Sequence, residues 1–353
     1  MTTPDVSVVI ATYNRVDSVR RLLAHLAEQT LPASRYEVLV VDDGSAEPVA
    51  GRLGDLRVPY ALHLLAQPNA GPAAARHRGL ARARGALVVI LDDDMRVGPD
   101  FLAEHLAMHP PGTRRAVLGR LRPEPGARLP LFERCHLALL AKLEEDVARG
   151  RIALRGTNLY TGNVSFRRAD YLAVGGFDPA FRLSEDAELG VRLELAGVEF
   201  RFADGAIAWH ASDHTSLATW MRRSAAYGAA DSRVAAKHPE HEWVSPWRFL
   251  FLMHPISRPA LLTSALAPAL ARPITWLAIR VALLLARLGA ERVALAGTTF
   301  VYGMQYFGGV HAHAGSPGRA ARALLDHARR RRPTSPSRDR PAAARVPSAL
   351  PPA

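Results

Sequence analysis

Apolar and polar positions change period several times along the first hundred residues of the chain. Residues 6–11 (VSVVIA), 37–42 (EVLVVD) and 86–91 (ALVVIL) are near-continuous apolar runs, and 60–66 (YALHLLA) is a weaker one. Runs of this length read as strands buried on both faces. Between the first two, Val19, Leu22, Leu23 and Leu26 fall at i, i+3, i+4 and i+7, one stripe of a helix. An Ala/Arg-rich segment at 72–84 predicts a second helix before the last strand. Strand and helix in alternation predict an α/β fold, a Rossmann-like and mostly parallel sheet flanked by helices. Farther on, the pattern predicts a helix over 131–148 and short strands over 116–121, 162–167 and 200–209. After Trp243 the chain is apolar but punctuated by prolines 246, 255, 259, 268 and 273, which suggests a C-terminal helical region. The last residues, rich in Arg, Pro and Ala, cannot bury a core and are expected to be a disordered basic tail. The chain thus divides into 1–105, 106–235, an apolar helical region at 240–314 and a tail at 315–353.

A length of 353 residues with 48% apolar composition suits two units and a tail. Cys135 is the single cysteine, which excludes a disulfide framework and a cysteine zinc site. That usage is compatible with a reducing cytosol, and no basic segment precedes 6–11, so a buried strand rather than a secretory leader is expected there. The net charge of +12 is concentrated: 315–353 carries nine arginines against Asp326 and Asp339. Such a tail draws anionic surfaces. It lacks interleaved aromatics, so no specific nucleic-acid partner is expected. The most apolar stretch, 274–288 (ITWLAIRVALLLARL), is shorter than the roughly 20 residues a bilayer span needs, and Pro273 is expected to block its extension upstream. Arg280 and Arg287 fall on nearly one helical face, as in a helix lying in a membrane interface; 293–310 is apolar enough to serve instead as hairpin partner of a re-entrant or marginally spanning pair. Ordinary packing of a helical subdomain is the competing reading. The expected location is cytoplasmic, peripheral on the inner face of the cell membrane.

Carboxylates cluster directly after two of the strands, at Asp42-Asp43 and at Asp92-Asp93-Asp94. In a parallel sheet the carboxyl ends of the strands lie along one edge, where open α/β folds bind ligands. Asp-Asp-Gly-Ser at 42–45 is equally a turn and helix-cap sequence. Three adjacent aspartates repel one another, and a hard divalent cation such as Mg²⁺ or Mn²⁺ relieves that cost while leaving positions for substrate phosphates.

Four segments, VSVVIATYNR, VVDDGS, NAGPAAARHRGLARARGALVVILDDD and GGFDPAFRLSEDAELGVRLELAG, together resemble the family 2 glycosyltransferases. The resemblance covers about residues 5 to 230. It implies a GT-A fold and inverting transfer of a sugar from a nucleotide-diphosphate donor to a hydroxyl of a glycan or lipid-linked acceptor. It implies Thr12 and Tyr13 beside the base and ribose, Asp43 as acceptor of a hydrogen bond from the base, and Arg76 near the donor, the last competing with a solvated helix arginine. Asp92 and Asp94 correspond to the family's Asp-x-Asp pair, with Asp94 the preferred metal ligand and Asp92 a ribose or metal contact. Asp93 also joins the donor-binding set, because aspartate fills all three positions and the register of the pair is open by one residue. Glu185-Asp186 resembles the family's Glu-Asp pair, with Asp186 as general base and Glu185 beside it; first-turn helix acids are the competing reading. His210 resembles the histidine that completes a metal site in related transferases, with His214 a competing neighbour. Gly175-Gly176-Phe177-Asp178 and Gly162-Asn163 are expected to bring backbone close to the acceptor.

Processive members carry Gln-x-x-Arg-Trp after the Glu-Asp pair. This chain reads LATWMRRSAAYG there, so non-processive transfer is expected. The alternatives are a Mg²⁺-dependent phosphoryl or nucleotidyl transferase and a non-catalytic scaffold of the same fold. The first lacks its phosphate loop here, and the second sits poorly with a complete set of carboxylates.

Overall fold

A computed structural model describes residues 3–210 and 216–330. The first half runs β1 (Val6–Thr12), α1 (Val16–Ala27), β2 (Tyr36–Asp42), a single turn α2 (Val49–Arg52), β3 (Ala61–Ala66), α3 (Pro72–Arg82) and β4 (Leu87–Asp92). Then come β5 (Met95–Val97), α4 (Phe101–Ala107), β6 (Arg115–Pro123), α5 (Leu131–Ala148), β7 (Asn163–Arg167), α6 (Arg168–Ala173), α7 (Glu185–Leu195) and β8 (Glu199–His210). The helical remainder is α8 (Leu217–Lys237), α9 (Trp247–Leu252), α10 (Arg258–Leu266), α11 (Pro268–Arg287), α12 (Glu291–Ala314) and α13 (Pro317–Arg330).

All eight strands form one sheet in the order β3-β2-β1-β4-β7-β6-β8-β5. β3, β2, β1 and β4 are mutually parallel, β7 joins β4 antiparallel, and β6 and β8 are again parallel. The fold is therefore the mostly parallel α/β sheet expected, with a mixed second half. Every residue of β2 is buried, and β1 and β4 are buried except at one residue each, since helices cover both faces; β3 is half-exposed because it forms an edge. One core lies between the sheet and α1, around Leu22, Leu23 and Leu26, and the other lies beneath α3 and α7, around Leu80, Leu189 and Leu193. Sheet register aligns the strand ends: Thr12 pairs with Asp42, and Ala11 with Asp92, so three strands end at the same height.

The C-terminal helices pack on α8. A Cβ on Gly228 of α8 would collide with the Tyr306 carbonyl oxygen, and one on Gly309 of α12 with the Ala225 carbonyl oxygen, so these two helices approach to backbone contact. Two expectations are corrected here. Pro273 does not end its helix: α11 runs through it for 20 residues. Proline there removes one N–H and sets its ring against the Ala269 carbonyl, a local cost, but its fixed φ is compatible with helix and α11 is held by packing on α12. The carbonyl it leaves without a partner belongs to exposed Ala269, where water reaches it. Nor does order end at 315. α13 buries Ala320 against the helical core and His327 beside Phe251, because Ala320, Leu324 and His327 share one helical face. Residues 331–353 lie outside the described residues.

Candidate functional site

The sheet rim and α7 enclose a cleft of about 690 Å³. Thr12, Tyr13, Asp43, Arg76, Asp92, Asp93, Asp94, Glu185, Asp186 and His210, all singled out from the sequence, line it. Asp42 and Asp43 divide their work. The Asp42 carboxylate accepts from the backbone N–H of Ser45 (2.9 Å) and Val49 (3.0 Å), which is the turn-and-cap role. Asp43 turns to the cleft and accepts from Gln67 Nε2 (2.8 Å) and from the N–H groups of Ala70 (3.0 Å) and Gly71 (2.8 Å), fixing the loop into α3. Tyr13, half-exposed, stands at the mouth.

The three aspartates face three ways. Asp93 is buried, accepts from the Thr12 hydroxyl at 2.6 Å, and meets Arg15 at 3.3 Å. Burial lifts its pKa to about 6 against the Thr12 hydrogen bond, with the Asp94 charge adding to the rise. Asp94 Oδ2 meets Arg15 (2.9 Å) and His210 Nε2 (3.2 Å). Burial would raise the Asp94 pKa, but His210 and Arg15 win and hold it below the usual range; burial likewise opposes a His210 pKa that Asp94 raises. His210 comes from 116 residues away because β5 and β8 are antiparallel with Met95 opposite His210. His214 lies outside the described residues.

Arg76 is not the solvated helix arginine that competed for its position. It is buried, and its guanidinium spans Asp92 (2.7 Å) and Glu185 (3.1 Å), tying the sheet rim to the start of α7. Asp186 points into the cleft beside this pair. Its depth in the protein, then the Glu185 charge, push its pKa up to about 7. Ser184, just before, is in the left-handed region at φ 57°, and its hydroxyl donates to Asp231 of α8 at 2.7 Å. The Tyr306 hydroxyl of α12 donates to the other Asp231 oxygen, also at 2.7 Å. The Glu-Asp pair is thus braced by two helices of the C-terminal region.

Among the described residues, no three His, Cys, Asp or Glu side chains gather as a metal cluster. A cation of the Mg²⁺ type would fall to Asp94, whose Oδ1 is buried without a hydrogen-bond partner while Arg15 and His210 share its other oxygen. Such an ion is held by one or two protein ligands with substrate phosphates and water completing its shell. Asp92 is engaged by Arg76 instead.

Some lining residues were not singled out. Arg15 and Arg182 sit inside the resembling segments without an assigned role, while Glu133 and His136 of α5 and Arg223 and Tyr227 of α8 had no motif and reach the cleft from positions that read as ordinary helix surface in a one-dimensional pattern. The available signal was spacing alone, since Arg223 and Tyr227 share a face at i, i+4. Conversely, the turn at 175–178 is not on the cleft. A Cβ on Gly176 would sit 2.8 Å from both the His77 ring and the Tyr171 hydroxyl, and Asp178 pairs with Lys237, so the turn locks α6 onto α3 and α8. Gly162 does line the cleft, but Asn163 is fully buried and bonded to His105 and to the Ala206 carbonyl, a scaffold contact.

The sequence model for glycosyl transferase family 2 matches residues 7–154, and that for glycosyl transferase family group 2 matches 87–290. Pre-mycofactocin glycosyltransferase of Mycobacterium tuberculosis is 31% identical over 244 residues, 67% of this chain and 48% of that protein. Validoxylamine A glucosyltransferase of Streptomyces hygroscopicus subsp. jinggangensis is 31% identical over 223 residues, 55% of this chain and 52% of that protein. The chain spans about half the length of these curated relatives. A mannosyltransferase from Pyrobaculum calidifontis, solved in complex with GDP-Man and Mn²⁺, has the same fold: TM-score 0.61 at 21% identity, over 92% of this chain and 88% of that one.

Proposed function

The chain belongs to glycosyltransferase family 2 and has its GT-A fold, and from that premise we propose that it transfers a hexosyl unit, non-processively and with inversion, from a nucleoside-diphosphate sugar to an acceptor hydroxyl, assisted by a divalent cation. The observation that carries the reading is the Arg76 bridge. One guanidinium joins a rim carboxylate, Asp92, to Glu185 beside Asp186, so donor-side and acceptor-side acids share a single cleft.

In this reading Tyr13 offers a ring to the base, and Asp43 and Thr12 shape the pocket for base and ribose. The acceptor oxygen attacks the anomeric carbon from the side opposite the diphosphate. As that bond forms, the hydroxyl proton passes to Asp186, and the electrons of the breaking C–O bond leave with the diphosphate. A pKa near 7 suits a carboxylate that must take this proton at neutral pH. Asp94 and His210 would hold Mg²⁺ or Mn²⁺, which supplies Lewis-acid stabilisation of the leaving diphosphate. The mannosyltransferase from P. calidifontis, bound to GDP-Man and Mn²⁺, supports both a nucleotide-sugar donor and a cation of this class. The acceptor in this reading is a glycan or a lipid-linked acceptor, met on the cytoplasmic side of a membrane.

The test is a panel of nucleotide-sugars scored by thermal stabilisation with Mn²⁺ and with a chelator. One donor at 100 times its Kd should stabilise the protein by about 2.7 kcal/mol, and only with metal. Stabilisation by no donor, or equal stabilisation under chelation, would refute the reading.

A further inference from the structure

We propose that α11 lies flat in the interface of an anionic bilayer, with a row of aliphatic side chains among the acyl chains and its arginines at the lipid phosphates. Leu270, Ile274, Leu277, Val281, Leu284 and Leu288 follow at spacings of four, three, four, three and four, so they form one stripe on the helix. Each is 38 to 71% exposed. Ala271, Thr275, Ile279 and Ala282, on the other side of the helix, are buried. Ala282 lies where a Cβ on Gly297 of α12 would come within 3.1 Å, so that side is committed to protein. One flank of the stripe carries exposed Arg280 and Arg287 and, next to them, Trp276, over whose ring the Arg280 guanidinium sits at 4.3 Å; exposed Arg272 stands farther round the helix. An indole next to arginines at the edge of an apolar band is the composition of a membrane-interface helix.

Charge decides the occupant. Residues 243–290 hold five arginines and no aspartate or glutamate. The heptad-like spacing would suit a coiled coil, but a second copy would bring another arginine row to the same seam. Residues 331–353 of the chain itself carry five more arginines and, as large aliphatics, only Val346 and Leu350, too few to cover six positions. An anionic lipid surface answers both the apolar and the cationic character. Spanning is the poorer geometry even though α11 has 20 residues, because Arg280 would lie deep in hydrocarbon and one face is already packed on protein. The inference goes beyond the reading of the cleft, since lipid binding needs neither donor nor catalysis. It bears on the acceptor where that reading holds: Met221 and Ala225 of α8 face the groove beside α11, while Arg223 and Tyr227 of the same helix line the cleft.

Flotation of the full chain with phosphatidylcholine vesicles, with and without phosphatidylglycerol, tests this. Wild type should bind the anionic vesicles and release as salt rises. Leu277→Glu with Leu284→Glu, and separately Arg272→Glu with Arg280→Glu and Arg287→Glu, should each weaken binding at least about tenfold. Deletion of 331–353 should leave binding that still depends on the stripe. Donor-induced thermal stabilisation should be unchanged in all variants, which reports folding and keeps failure of the membrane inference separate from failure of the cleft reading. The proposal is overturned if wild type ignores anionic vesicles. It is also overturned if stripe and arginine variants bind like wild type while deletion of the tail abolishes binding. Conversion of a dimer to a monomer by the stripe variant, with vesicle binding unaltered, would assign the face to a second copy and overturn it too.

Discussion

Replacement of Arg76 by methionine removes the one cation between two carboxylates while keeping an unbranched chain that replaces the aliphatic part of the arginine. The arginine and Glu185 side chains are each 9% exposed and that of Asp92 is 36%. Breaking a buried ion pair by deleting one partner typically costs about 3–5 kcal/mol, because a charge stays behind without compensation. Here Asp92 reaches water, so its share is screened, and the burden falls on Glu185, which also faces Asp186. We therefore expect a loss of about 2–4 kcal/mol. At about 2–4 °C per kcal/mol for proteins somewhat smaller than this one, Tm should fall by about 5–15 °C. The gap should narrow in acid, where protonation removes the uncompensated charge. Arg76→Lys, able to reach one carboxylate at a time, should fall between. Calorimetry across pH measures the effect, and circular dichroism verifies the fold. Stability within about 0.5 kcal/mol of wild type at neutral pH would refute the claim that this guanidinium holds the two halves of the cleft together.

Asp186→Asn should bind donor normally and lose about 10²–10⁴-fold in kcat, and a turnover close to wild type would remove Asp186 as base. The same variant has a stability signature. Asp186 takes up a proton on folding because its folded pKa, about 7, exceeds the unfolded value of about 3.9, so the stability linked to that proton is complete below about pH 4 and is lost as pH rises through 7. Asn lacks that loss, so the variant should gain on wild type as pH rises from 5 to 8, and unfolding at the two pH values measures it. Asp94→Ala should abolish the metal dependence of donor binding, read by calorimetric titration with and without Mn²⁺, and metal-enhanced binding that persists would contradict the assignment. Asp231→Ala should lower kcat with little change in donor KM, because Ser184 and Tyr306 lose a shared acceptor at the base of α7 while the donor-side rim is untouched. A change confined to KM would count against a positioning role.

Much of the first half was legible because its signals are local. A strand buried on both faces must be continuously apolar, and a surface helix must repeat near 3.6. β1, β2, β4, α3 and α5 accordingly lie within one or two residues of where periodicity put them. The Asp42-Asp43 and Asp92-Asp94 clusters were legible for the same reason: parallel strands of one sheet present their carboxyl ends together, so acids after two strands must be neighbours. Arg223, Tyr227 and Glu133 were not, since a charge on a helix looks alike in one dimension whether it faces solvent or a cleft.

What tertiary structure decided is partnership. The triplet at 92–94 left its register open, and only packing assigned Asp93 to the Thr12 hydroxyl, Asp92 to Arg76 and Asp94 to His210. The reach of α11 through Pro273 was likewise settled by packing on α12, which outweighs one missing N–H. Sequence by itself determined the elements and the chemical types at their ends, because those derive from the period and polarity of adjacent residues. The pairing of distant charges came only from the fold, because an ion pair depends on distance in space and burial, and neither is a property of a residue's neighbours along the chain.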